Sequence, residues 1–172
     1  MISMIKQDYQ RYKEPDNRFK YEEISFYVIL FYRICRWIRG IRFMPVRVLL
    51  NLFFVPQYMF WIHLSGIQIP RGAQIGAGLR IYHFGCIVLN PLTVIGENCT
   101  LRHGVTIGNR QEIDDVPVLG NNVDIGAGAK ILGRIKIGNN VSIGANAVVL
   151  CDVPDNHIAV GVPARIFLKK VQ

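Results

Sequence analysis

Aliphatic residues return at every sixth position along the second half of this chain. From Ile95 the series runs Leu101, Ile107, Ile113, Leu119, Ile125, Ile131, Ile137, Ile143 and Val149. The same beat lies upstream at Ile69, Ile75, Ile81 and Ile87, and it slips by two residues between Val88 and Val94. Neither a helix of period 3.6 nor a strand of period 2 demands a strict six. A coiled sheet does, because each hexapeptide supplies one short strand and one turn, with its aliphatic side chain facing a shared interior. Glycine follows the beat at Ile75, Ile95, Ile107, Leu119, Ile125, Ile137 and Ile143, which suits tight corners where a side chain would crowd. The pattern predicts a parallel β-helix over residues 67–153. Three hexapeptides close one triangular coil of about eighteen residues, and coils stack at roughly 4.8 Å.

Upstream, the run from Ile24 to Ile67 is apolar but punctuated by Arg33, Arg36, Arg39, Arg42 and Arg47. In helical spacing Arg33, Arg36 and Arg39 share a face, while Phe26, Ile29, Leu30, Ile34 and Trp37 gather elsewhere. Pro45 and Pro56 are expected to break the run into short pieces. Val48 to Ile67 holds no formal charge, yet Asn51, Pro56, Gln57, His63 and Ser65 make it a poor spanning helix. The expectation is a basic helical cap that contacts an anionic membrane peripherally through residues 24–64. Packing of these helices on the coil or on a neighbouring subunit is the alternative. The domain plan is therefore a lead-in and cap over 1–66, the coil over 67–153, and a tail over 154–172 that folds back along it.

Charge and cysteine usage narrow the setting. The 172 residues carry a formal charge of +8. Cys35, Cys86, Cys99 and Cys151 form no CxxC pair and no zinc spacing, so free thiols in a reducing cytoplasm are expected. Met1 to Glu23 is rich in charge and has no apolar core of a secretory signal. The location expected is cytoplasmic, with peripheral attachment to the inner face of the membrane.

The beat also places two histidines. His83 follows Ile81 by two residues, and His103 follows Leu101 by two. They are twenty apart, and removing the two-residue slip leaves one coil. The imidazoles should therefore project from the same face of adjacent coils, one above the other, beside the only irregularity in the beat. Paired imidazoles suit proton handling near neutral pH. His63 and His157 lack that setting and are read as structural.

Three segments carry a family resemblance: GAGAKILG from Gly126 to Gly133, VGVPARI from Val160 to Ile166, and YRICRW from Tyr32 to Trp37. Together they resemble the hexapeptide-repeat acyltransferases, in particular the serine acetyltransferase group and its shorter relatives that acetylate sugars or polysaccharides. The resemblance spans about Arg18 to Lys169. It implies a left-handed parallel β-helix, a homotrimer with active sites between subunits, and acetyl-CoA as co-substrate without a metal. It implies His83 as general base, within YHFGCIV, and His103 as an aid to the acceptor or the developing oxyanion. Gly108 lies near the family's thioester-binding stretch and offers a backbone N–H. Gly126, Ala127, Gly128 and Ala145 leave backbone open for the pantetheine arm, and Lys130, Arg134, Lys136 and Arg165 are candidates for the coenzyme phosphates.

Departures from the serine enzymes bear on the acceptor. The position of the aspartate fifteen residues before the histidine is Gln68, and the aspartate directly before it is replaced by Tyr82. An amide cannot stabilise an imidazolium as a carboxylate does. Where those enzymes have a second, substrate-binding histidine before a proline, this chain has Val116-Pro117. The helical domain before the coil is cut to about sixty residues. The segment Arg110 to Val116 is read either as an extruded loop or as part of the beat through Ile113. Its Asp114 and Asp115, and Asp16 in the lead-in, are candidates for binding the acceptor. The reading is an acetyl-CoA-dependent O-acetyltransferase acting on a glycan or surface-polysaccharide intermediate, with serine O-acetyltransferase as the alternative. No nucleic-acid partner is expected. A zinc enzyme of the γ-carbonic anhydrase kind needs three histidine ligands, and a non-enzymatic coil leaves His83 without a purpose.

Overall fold

A computed structural model describes residues 1–13 and 23–169. Among the described residues three helices precede the coil: α1 (Ile2–Arg11), α2 (Ile24–Arg39) and α3 (Met44–Ser65). Short strands then follow at nearly even spacing: β1 (Ile67–Gln68), β2 (Gln74–Ile75), β3 (Arg80–Tyr82), β4 (Ile87–Leu89) and β5 (Val94–Ile95). Next come β6 (Thr100–Arg102), β7 (Thr106–Gly108), β8 (Val118–Leu119), β9 (Asp124–Ile125) and β10 (Lys130–Leu132). The last are β11 (Lys136–Ile137), β12 (Ser142–Ile143), β13 (Val148–Val149), β14 (His157–Val160) and β15 (Arg165–Leu168).

Every third strand pairs in parallel, which makes three flat faces. The first is β1-β4-β7-β10-β13, the second β2-β5-β8-β11, and the third β3-β6-β9-β12-β14, to which β15 adds antiparallel. The beat residues from Ile69 to Val149 fill the interior, apart from Ile113. A second inward position sits two residues before each of them, and it often holds a small side chain: Ala73, Cys99, Ala129 and Ala147 are all fully buried. One corner is built on a ladder of asparagines with left-handed backbone, where Asn122 donates to Asn140 and Asn140 to Asn156, each at 3.0 Å. Asn takes that conformation more readily than other side chains.

Two details of the beat differ from the sequence reading. The two-residue slip lies between β3 and β4, because Ile81 pairs with Leu101 and Leu89 with Ile107. The extra residues therefore form the His83 turn itself, and Ile87 and Leu89 both face inward. Ile113 is 82% exposed on a loop between β7 and β8. Ile107 and Leu119 are twelve apart where six is usual, so a six-residue insertion hides in phase with the repeat.

The helical cap closes the first coil. Asp8 on α1 is buried, and its carboxylate accepts the backbone N–H groups of Gly78 and Leu79 and pairs with the Arg33 guanidinium at 2.9 Å. Arg33 also donates to the carbonyls of Ile75 and Gly76, Arg36 to Gly72 and Ala73, and Arg39 to Arg71. The basic face of α2 therefore grips the coil's open backbone edge, as the alternative of packing on the coil expects. Tyr12 accepts the Ile81 N–H, and burial pushes its phenol up to about 12.

Helix α3 is continuous, against the expectation that Pro45 and Pro56 would break it. Pro45 sits in the first turn, where its missing N–H costs nothing. Pro56 lies within the helix, and packing of α3 along α2 holds the turn that its missing N–H leaves unbonded. Tyr27 stacks on Trp61 with ring centroids 4.8 Å apart, and Phe31 meets Phe54. Cys35 and Cys99 are buried thiols, and Cys86 and Cys151 are exposed.

Two substitutions test this architecture. Ile131→Asp places a carboxylate in the coil interior and is expected to lower the melting temperature by roughly 10 °C or more, read by circular dichroism. Asp8→Ala strands the buried Arg33 charge and two amides, at a cost of about 3–5 kcal/mol in chemical denaturation. A near-neutral result for either would contradict the packing described.

Candidate functional site

The turn after each third-face strand forms one corner of the coil. His83 follows β3, His103 follows β6, Ala127 follows β9 and Ala145 follows β12, each two residues beyond the inward aliphatic. Backbone hydrogen bonds tie these turns together: Gly104 N–H to Gly85 O at 3.0 Å, Gly128 N–H to His103 O and Asn146 N–H to Ala127 O, both at 2.8 Å. The histidine pair and the small-residue segment are thus one continuous column.

At its upper end the two imidazoles meet edge to face, with centroids 5.9 Å apart and planes inclined at 68°. Both side chains are exposed, and His83 adopts a left-handed backbone with φ of 59°. That conformation is uncommon for a residue with a Cβ and throws the ring outward from the tight turn. Among the described residues, neither imidazole has a hydrogen-bond partner within the chain. Gln68 lies on the outer side of β1, opposite Val88.

Sequence reasoning missed a set of side chains beside the histidines. Tyr82 is 42% exposed and pairs in register with Arg102. The Arg80 guanidinium lies between the rings of Tyr12 and Tyr82, at 3.9 and 4.6 Å, and is paired with Glu23 at 2.9 Å. Arg102 approaches the Tyr82 ring at 5.8 Å and is paired with Asp124 at 2.6 Å. Phe84 is 53% exposed on the other side of His83. The same twenty-residue spacing that revealed the histidines relates Tyr82 to Arg102, so the signal was present.

Further down the column, glycine is required by close approach. A Cβ on Gly126 would come within 2.5 Å of Ala145 N, and one on Gly128 within 2.0 Å of Asn146 Oδ1, where φ is also +74°. Both glycines are half-buried and carry no side chain, so their backbone is partly open to solvent. Lys130 lies on the first face, where its ammonium donates to Gly104 O and Thr106 Oγ1. It is committed to the coil and reaches toward the histidine corner. Arg165 is exposed on β15, opposite Val160.

The remaining candidates stand elsewhere. Gly108 ends β7 at the opposite corner of the first face, and the space around its Cα is open. At about 3.3 Å per residue that corner is roughly 15 Å from His103. Asp114 and Asp115 share that corner on the inserted loop, where Asp114 pairs with Arg134 at 2.9 Å and Asp115 accepts the Gln111 N–H. Neither carboxylate bonds to His103 within the chain. Asp16 lies outside the described residues. His63 and His157 bond to nearby carbonyls, Met59 O and Asp155 O, away from the pair.

The three-faced parallel coil, with its exposed histidine corner, is that of a hexapeptide-repeat left-handed β-helix. Comparison with known proteins agrees. Residues 117–151 match the family of bacterial transferase hexapeptide (six repeats). A serine acetyltransferase from Helicobacter pylori (strain J99) is 38% identical over 165 residues, covering 91% of each chain. The putative colanic acid biosynthesis acetyltransferase WcaB of Escherichia coli (strain K12) is 40% identical over 144 residues, covering 81% of this chain and 88% of that one. The serine acetyltransferase of Synechococcus elongatus is 38% identical over 149 residues, and the match spans only 57% of its length. Among solved structures, a serine acetyltransferase in complex with CoA superposes with a TM-score of 0.78 at 34% identity, covering 96% of this chain and 69% of that one. The chain belongs to the hexapeptide-repeat acetyltransferases, in the group that holds serine acetyltransferases and WcaB.

Gly128→Ala is expected to destabilise the coil by about 1–2 kcal/mol through its positive φ and the clash with Asn146. Thermal denaturation measures that cost. Calorimetric titration with coenzyme A should show weaker binding in the same variant.

Proposed function

We propose that this chain transfers an acetyl group from acetyl-CoA to a hydroxyl of a glycan, with His83 as the general base. The exposed histidine pair at the head of the bare-backbone column carries the reading. In the forward step His83 takes the acceptor's hydroxyl proton as the oxygen attacks the thioester carbonyl. The tetrahedral intermediate then collapses, the C–S bond breaks, and the imidazolium returns its proton to the leaving thiolate. The products are an acetyl ester and free coenzyme A. His103, edge to face with His83, would hold the acceptor or the oxyanion.

The acceptor assignment rests on what surrounds the base. Two exposed aromatic side chains, Tyr82 and Phe84, flank His83, and aromatic faces suit the C–H faces of sugar rings. At the two positions where the serine enzymes carry an aspartate this chain has no carboxylate, since Gln68 and Tyr82 stand there. Asp114 and Asp115 occupy the opposite corner, as does Gly108, and would join the site across a subunit boundary in a homotrimer. The column from Gly126 to Ala145 would take the pantetheine arm, with Lys130 and Arg165 nearer its ends.

Serine O-acetylation is the second reading, and the names of the relatives favour it. Five relatives are serine acetyltransferases, and that of Helicobacter pylori (strain J99) aligns over 91% of both chains. That relative is itself short, so the trimmed helical region does not separate the two acceptors.

Release of coenzyme A from acetyl-CoA, followed with free serine and with a panel of glycan acceptors, tests the assignment. Release with glycans alone supports it, and release with serine moves the chain to the second reading. His83→Ala is expected to lower the rate by 10²–10⁴-fold without loss of fold by circular dichroism. Full activity in a folded variant would remove His83 as the base.

A further inference from the structure

We infer that α3 is a lipid-contacting helix, and that it seats the histidine corner at the surface of an anionic bilayer. One side of α3 packs on α2, and the other is bare. Leu49, Leu52, Phe53, Met59, Phe60 and Leu64 are all exposed on it, with Leu52 at 70% and Phe53 at 62%. Among the described residues α3 is the one helix long and apolar enough to cross a membrane, and only 11% of its apolar window is buried. A patch of this kind on a water-facing surface marks a contact with another apolar phase.

The polar groups on α3 are arranged for such a phase. Asn51 donates to Arg47 O, Gln57 to Phe53 O and Ser65 to Trp61 O, and His63 Nδ1 bonds Met59 O. Each makes a hydrogen bond to the helix's own backbone, and Asn51 Oδ1 also accepts from Arg71, which lowers the cost of leaving water.

The occupant is identified by charge. From Ile24 to Gly96 the sequence contains seven arginines and no acidic residue. Arg42 is exposed beside the start of α3 and Arg47 lies within its first turns, whereas Arg39 donates to Arg71 O. Basic side chains bordering an apolar helix match anionic headgroups over acyl chains. The helix lies in the interface and does not cross, because α2 holds it along its length and the arginines of α2 bind the coil.

Orientation links this contact to the chemistry. The C-cap residue Gly66 abuts the His83 turn: its carbonyl accepts the Ile87 N–H at 3.2 Å, and a Cβ there would lie 3.3 Å from Cys86 N. An open groove of about 500 Å³ runs between this end of α3 and β1, lined by Met59, Ile62, His63, Gln68 and Arg71. The base is therefore presented at the lipid surface, where a glycan carried on a lipid would meet it. This acceptor consequence rests on the proposed function, whereas the bilayer contact does not.

The experiment is co-sedimentation of the full chain with vesicles of phosphatidylcholine alone and with 30% phosphatidylglycerol. Binding to the anionic vesicles is expected, with a loss of at least tenfold in Leu52→Glu/Phe53→Glu. Both side chains are exposed, so folding should be kept, and circular dichroism checks it. Brominated phosphatidylglycerol should quench the tryptophan fluorescence of the unmodified chain, since Trp61 lies on α3 itself and is only half-buried. This second measurement needs no variant. Absence of binding and quenching, or equal binding by the double variant, overturns the inference. So does light scattering in which the double variant alone loses a higher oligomer, because the face then serves a second copy of the chain. Vesicle binding without glycan acetylation would leave the bilayer contact standing and remove only the acceptor.

Discussion

Registry between coils governs this molecule. Ile67 sits over Ile87, Ile81 over Leu101 and Ile131 over Val149, and parallel backbone hydrogen bonds fix each pair. Once that is set, a side chain at a given turn position recurs at about the strand spacing in the next coil. The column of His83, His103, Ala127 and Ala145 is a consequence of this repetition and needs no separate device to assemble it. Function enters as choices of side chain at an address that the scaffold already repeats.

The helical cap shows arginine used as a backbone donor. A coil's first turn leaves carbonyls with no strand beneath them, and burying these unpaired costs free energy. Arg33, Arg36 and Arg39 supply planar forks that reach several carbonyls at once, while Asp8 returns acceptors to the amides of Gly78 and Leu79. Charge on α2 thus faces inward, and apolar surface on α3 faces outward. That inversion of the usual arrangement defines the outer character of the cap.

Periodicity made the coil legible because the interior tolerates one residue class at one spacing. It also exposed the histidine pair, since position within a repeat is position in space. Its failures are equally specific. The insertion that carries Ile113 is six residues long, so it keeps the phase and looks like another strand. The two-residue slip was placed late because Ile87 and Leu89 both face inward, and either satisfies the beat. The partners of Arg33 and Arg36 are backbone carbonyls brought close by the fold, and no sequence spacing encodes a carbonyl. Pro56 was overread, since propensity acts locally and the packing of α3 on α2 outweighs it.

The far end of the coil is closed without helices. Strand β15 turns back antiparallel on β14, Val153 bridges to Ile137, and the Gly161–Ala164 turn bonds both backbone groups of Val148. Each of the three faces therefore meets a segment that departs from the repeat. A stack of identical rungs is a one-dimensional crystal, and its open terminus is a growth face for any similar rung. Here the Gly161–Ala164 turn and β15 cover that growth face. The stacking rule that builds one molecule is thereby kept from joining many into a fibre.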